Sequence, residues 1–200
     1  MKTTIVTIAI ALILVFGLSK SSNAATGNEG VSTILNEESP VNKIEVYGNV
    51  ELYLSSGTAG QVKVYNRYYE ENAVVQNQGG VLRITSYNTD KLIVWVTVNE
   101  LSELSAFDNA EVKSFGNFSS LALDIKLFNH ASAKLDLDAI TAKVTLNDYA
   151  KAELAGTINE ADLKYNNASD INITGLAATK LAKTERFGAI AGDIAELSIF

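Results

Sequence analysis

The chain reads as an all-β protein whose mature part is a short stack of β-coils. Three observations carry this. Apolar residues alternate with polar ones at period two from Val41 onward, with turn residues between the runs. No stretch beyond the first residues shows a 3.6-residue apolar period with helix caps. The second half repeats itself at a spacing of 19 to 21 residues, which marks a solenoid.

The N-terminus has the layout of a secretory signal peptide, residues 1–24. Lys2 supplies the positive start, Ile5 to Leu18 is apolar except for Thr7 and Gly17, and Ser22-Asn23-Ala24 offers small residues before the cleavage point. A membrane anchor needs ~20 predominantly apolar residues. This run is shorter and ends in Ser19-Lys20-Ser21-Ser22. With no cysteine in the chain, lipidation at a cysteine, disulfides and thiolate chemistry are excluded together. Removing the leader also removes Lys2 and Lys20, so the mature chain is more acidic than the formal −7 of the whole. Phosphate contacts need clustered Lys and Arg, so nucleic acid is not an expected partner. No second apolar segment is long enough to span a bilayer as a helix.

Residues 25–40 are rich in Gly, Ser, Asn and Glu, end at the only proline, and read as a flexible lead-in. The single domain then covers 41–200. Its N-terminal strands occupy 41–100: Ile44 and Val46, then Val50, Leu52 and Leu54, then Val62 and Val64, then Val81–Thr85 and Leu92–Val98. Gly48-Asn49, Ser55-Ser56-Gly57 and Gly79-Gly80 punctuate them. This portion reads as leaning toward antiparallel hairpins.

Residues 101–200 hold the repeated coils, with the pattern apolar-x-apolar-x-turn-x-small-x-apolar. It runs Leu104, Ala106, Asp108, Ala110, Val112, and recurs as Ile125, Leu127, Asn129, Ala131, Ala133. Copies follow from Val144 to Ala152 and from Leu163 to Ile171, and a degenerate one from Ala182 to Ile190. Each copy reads as two strand pieces flanking a corner. The corner needs a backbone near left-handed α, which Gly accepts freely and Asn or Asp tolerate best among the rest. Asp108, Asn129, Asp148 and Asn167 fit that demand. The small residue two positions later lets adjacent walls approach, and stacking satisfies backbone hydrogen bonds at ~4.8 Å per coil. A leucine-rich repeat has a similar period. It needs Asn three positions after the last strand leucine and a helical return, whereas here the return segments, such as Ala133 to Ala142, read as strands.

The run Val41-Asn42-Lys43-Ile44-Glu45-Val46-Tyr47-Gly48-Asn49-Val50-Glu51-Leu52-Tyr53-Leu54 resembles the opening of the head GIN domain, an auto-transporter adhesin domain of exported Bacteroidetes proteins. The Gly80-Val81-Leu82-Arg83-Ile84 hairpin and the coils of about 19–21 residues have counterparts there, and the similarity spans Val41 to Phe200. The resemblance implies a right-handed parallel β-helix-like solenoid and an adhesin-like role without assigned activity. The chain departs from the family's Ser- and Gly-rich corners, placing Asp-Asn-Ala, Asn-His-Ala, Asp-Tyr-Ala and Asn-Ala-Ser there.

Few residues point to chemistry. His130, the only histidine, sits at a corner one coil from Asp108 and Asp148. Asn109 and Tyr149 fill the same slot in neighbouring coils, which speaks for tolerance rather than proton transfer. The column Asp108, Asn129, Asp148, Asn167 and Arg186 could offer oxygens to a cation, yet a ladder of turn-forming Asn and Asp explains it more simply. Lys126, Lys143 and Lys164 read as solvated outer positions. No catalytic residue, metal site or cofactor is expected.

The cluster Tyr65-Asn66-Arg67-Tyr68-Tyr69 is the densest aromatic feature. Tyr65, Arg67, Tyr68 and Tyr69 are candidate ligand-binding residues, since exposed Tyr with polar neighbours suits glycan or protein contact. Cross-strand pairing is the more ordinary use of such residues. An outer-membrane barrel ending at Phe200 is excluded, because Ser198 and Glu196 occupy its apolar slots. The expectation is an exported periplasmic, surface or extracellular protein of non-enzymatic, adhesin-like or structural role, with a glycan or an envelope protein as partner. The competing class is a carbohydrate-active β-helix enzyme of lyase or esterase type.

Overall fold

The structure, a computed structural model, describes residues 32–35, 40–65 and 73–186. Among them there are twelve strands and no helix. In chain order these are β1 (Ser32–Leu35), β2 (Lys43–Gly48), β3 (Val50–Ser56), β4 (Gln61–Tyr65), β5 (Ala73–Gln78), β6 (Val81–Ser86), β7 (Leu92–Val98) and β8 (Glu103–Ala106). Four long strands follow: β9 (Glu111–Leu127), β10 (Ser132–Leu146), β11 (Lys151–Asn166) and β12 (Asp170–Arg186). All twelve belong to one sheet, which curls into an open half-barrel around a single apolar core.

The expected coil spacing appears as strand register. Lys151 pairs with Ser132 and Asp170 with Lys151, while Ser132 pairs with Glu111, all in parallel. The return segments are strands, as the alternation predicts: β10 runs unbroken through Ala133 to Ala142. Its curl has a local cause. Alternation buries Ala133, Leu135, Leu137 and Ala139, then breaks at Ile140 and Thr141 before Ala142, Val144 and Leu146 resume. Two successive side chains left off the core side turn the strand around the core, and Ile140 drops out of the ladder on both flanks.

The corners bear out the backbone argument at three of four positions. Asp108, Asn129 and Asp148 have φ of 60°, 59° and 57°. The small residues after them, Ala110, Ala131 and Ala150, are fully buried and donate their N–H to Phe107, Phe128 and Asn147. Asn167 does not adopt positive φ. There the Asn166 carboxamide oxygen accepts the N–H of Ala168 and Ser169, so a side-chain-closed turn replaces the left-handed corner. Beside the corners the rings of Tyr47, Phe107 and Phe128 stack at 4.5 and 4.7 Å, within 4° of parallel.

The N-terminal portion is mixed rather than mainly antiparallel. Antiparallel pairs join β5 to β6, β4 to β7 and β1 to β4. β2 and β3 instead insert in parallel between β6 and β7 on one side and β8 and β9 on the other. Within the stretch expected as a lead-in, Ser32–Leu35 is the strand β1, because the outer edge of β4 offers it free backbone groups. The expected signal peptide lies outside the described residues.

Candidate ligand-binding wall

The site is built from outward positions of β4, β7, β3 and β9, whose alternate residues form the core. On β3, Leu52 and Leu54 point inward and Tyr53 outward; on β7, Val94 and Val96 point inward and Trp95 outward. Register then aligns residues distant in sequence. Lys63 pairs with Trp95, Trp95 with Tyr53, and Tyr53 with Lys113. The result is one row across the sheet: cation, indole, phenol, cation. The Tyr53 and Trp95 rings stack at 4.7 Å and 19°, and the Lys113 ammonium lies 5.8 Å from the Tyr53 ring centroid.

A β-bulge completes the wall. Lys113 pairs with Lys134, but the next pair along is Asn117 with Asp136, so Ser114, Phe115 and Gly116 face Leu135 alone. Gly116 absorbs the extra length at φ +75°. The bulge is pinned by the Asp136 N–H donating to Ser114 Oγ at 2.8 Å and by Asn117 Nδ2 donating to Asp136 Oδ1 at 3.3 Å. It ejects Phe115, which is 62% exposed and leans on Trp95 at 5.0 Å and 58°. A cleft of about 360 Å³ opens beside Phe115, with Tyr53 and Lys113 on one side and Lys134, Asp136 and Glu153 on the other.

Charges on the wall are largely paired. Lys113 bridges Glu51 and Glu111, Lys91 reaches Glu111, and Lys134 pairs with Glu153 at 2.8 Å. The Lys113 ammonium, hydrogen-bonded to Glu51, pulls that carboxyl below its ordinary range against the opposing effect of burial. Glu111 is lowered in the same way, first by Lys91. The Tyr53 hydroxyl donates to Glu51 at 2.7 Å, which raises the phenol.

Tyr65 belongs to this wall. It pairs with Ile93, two residues from Trp95, and is 36% exposed. Arg67, Tyr68 and Tyr69 lie outside the described residues. Tyr53, Trp95 and Phe115 escape a search for contiguous clusters, because only register brings them together. The available signal was an aromatic in an outward slot between two buried aliphatics, as in Leu52-Tyr53-Leu54 and Val94-Trp95-Val96.

The corner column serves the turns. Asp108 accepts from Asn129 Nδ2 at 3.0 Å and from the Tyr87 hydroxyl at 3.3 Å, and Asp148 accepts the Asn129 N–H at 3.2 Å. The His130 ring stacks on Tyr149 at 5.3 Å, and the residue meets Asp108 only through its backbone N–H, which donates to the Asp108 carbonyl at 2.9 Å. Among the described residues, no group of three or more His, Asp or Glu is placed to hold a metal ion. Lys126 and Lys143 sit on the outer face in ion pairs with Asp124, and Lys164 with Asp162. A larger groove of about 660 Å³ crosses the strand bends over Leu123, Ala142 and Ala161, and carries no aromatic side chain in its lining.

The family model described as "Putative auto-transporter adhesin, head GIN domain" matches residues 40–184. Solved structures share the fold. "A putative adhesin" from Bacteroides fragilis aligns with a TM-score of 0.67 at 16% identity, covering 78% of this chain and 76% of that one. A "putative adhesin" from Parabacteroides distasonis gives 0.59 at 17%, covering 78% and 77%. A "putative lipid binding protein" from the same species gives 0.61 at 15%, covering 80% of each chain. No curated protein matches the chain.

Proposed function

The chain belongs to the head GIN family of auto-transporter adhesin domains, and from that premise we propose that it is an exported, non-enzymatic, adhesin-like surface protein that holds its ligand on the outer wall around Phe115. The observation that carries this is the bulge. Between β9 and β10, two extra residues and a positive-φ glycine put one phenylalanine into solvent beside a tryptophan, whereas the bulge between β11 and β12 adds a single residue. Bulges re-aim side chains where function needs them. Exposed aromatics on a rigid sheet are a common form of contact surface. The adhesin descriptions of similar solved structures support the same role.

The finer architecture is part of the proposal, and the registers support it. Coils advancing 19 to 21 residues in parallel support a right-handed β-helix-like winding, which makes the wall a stiff platform. The leader-like first 24 residues support export, and the ligand class is glycan or envelope protein.

The test is retention of the labelled mature protein on bacterial and host cell surfaces. Phe115→Ser with Tyr65→Ser should lower retention at least tenfold while the thermal midpoint stays within a few degrees. Retention unchanged in that double variant would sink the reading. Release of new reducing ends from polysaccharides would overturn its non-enzymatic part.

A further inference from the structure

We propose that the cleft beside Phe115 takes a neutral glycan, with one uncharged pyranose lying against the Phe115 ring. This deepens the reading above and rests on it. The cleft has the two halves such a ligand needs. Beside Tyr53 and Lys113, one side offers the Phe115 ring, whose apolar face suits the C–H face of a sugar ring. The other side mixes acceptors and donors, Asp136 and Glu153 beside Lys134, which suits hydroxyl groups that both give and take hydrogen bonds. About 360 Å³ lies at the small end of ligand clefts, room for one or two sugar units rather than a folded partner.

Charge decides against an anionic ligand. Both lysines at the cleft already hold carboxylates, Lys113 with Glu51 and Glu111, and Lys134 with Glu153. Asp136 pairs with no cation among the described residues; its Oδ1 accepts only from the Asn117 carboxamide. A uronate or sialylated glycan would therefore meet an uncompensated carboxylate and two occupied ammonium groups. A neutral sugar displaces none of these pairs.

The protein carries its own probe. Trp95 is the only tryptophan, and Phe115 rests on it. Titrating the mature protein with neutral hexose and N-acetylhexosamine oligosaccharides should shift the tryptophan emission saturably. Phe115→Ala should weaken that binding at least tenfold, and Asp136→Asn should weaken it several-fold. Tyr149→Ser, at the corner beside Asp148 and away from the cleft, should change nothing. Affinity should vary less than twofold between about 0.05 and 0.5 M salt, because no net charge is screened. Uronate or sialylated oligosaccharides should bind at least tenfold more weakly than the neutral ones.

Tighter binding of the anionic glycans, or no response to any oligosaccharide, overturns the proposal. If cell retention is nevertheless lost in the Phe115 variant, the wall is still the binding surface and its partner is a protein. Should retention survive that variant, the wall itself is refuted.

Discussion

Phe115 leans against Trp95 at 5.0 Å from a strand that does not pair with the tryptophan's own, because β3 lies between them and a bulge lifts the phenylalanine across it. The contact exists only while the bulge keeps its backbone shape. Gly116 in the bulge and Gly156 on β11, outside it, separate the conformational cost of replacing a positive-φ glycine from the steric one.

Gly116 and Gly156 both have positive φ, +75° and +96°, but their surroundings differ. A Cβ on Gly116 would meet nothing within 4 Å, whereas on Gly156 it would lie 2.1 Å from the Leu137 carbonyl oxygen. Gly116→Ala should therefore cost only the backbone term, about 1–2 kcal/mol. Gly156→Ala must also push a backbone ladder aside and should cost roughly 3 kcal/mol or more. Chemical denaturation of the two variants measures the difference. Equal losses would show that the clash is relieved cheaply.

Asp148 tests the corner argument. Its φ of 57° is tolerated by Asp, free for Gly and strained for a β-branched residue. Asp148→Gly loses the acceptor for the Asn129 N–H but gains backbone freedom, and should stay within about 1 kcal/mol of the parent. Asp148→Val should cost about 2 kcal/mol or more. Thermal unfolding of both should rank them in that order.

Phe118 is the largest side chain buried in the core among the described residues, 1% exposed and set just past the bulge. Phe118→Ala should cost about 3–5 kcal/mol. Ala131→Leu, at a fully buried corner position, should cost about 1–3 kcal/mol by overpacking between coils. Phe115→Ala, which opens no cavity, should stay within about 0.5 kcal/mol. Urea midpoints at constant slope would separate the three.

Stability should fall in acid. Glu51 and Glu111 titrate below their ordinary value of 4.5 in the folded state, first because of Lys113 and Lys91 respectively. Lowered carboxyls stabilise the fold above that ordinary value, and the contribution is lost as pH falls through the folded values. Lys43 and Lys113 are raised above 10.5, first by Glu103 and Glu51, so their contribution is whole below 10.5 and fades as pH rises beyond the folded values. The thermal midpoint should plateau between these limits and drop below about 4.5. Glu51→Gln should make the acid limb shallower. The effect is modest, because Lys113 is over a third exposed and solvent screens the pair.

Much of this was legible in the chain. Period-two alternation gave the strands, and the recurrence of Asp or Asn before a small residue gave the corners, since both follow from local backbone geometry. Asn167 did not follow, because a side chain one position earlier closes its turn instead. The wall was harder to read. Tyr65 was visible beside other aromatics, but Tyr53 and Trp95 each stand alone between aliphatics, and nothing local says that β3 stacks on β7.

The amino-acid sequence by itself determined that this protein is all-β, that its corner pattern recurs every 19 to 21 residues, and which side chains face the core. Those properties depend on the alternation of side chains along a strand and on which residues tolerate positive φ. Only the tertiary structure decided that β2–β3 inserts between β6–β7 and β8–β9, and that the bulge at Phe115 stands over Trp95. Register between strands is fixed by the fit of whole faces against one another, a property no single segment carries.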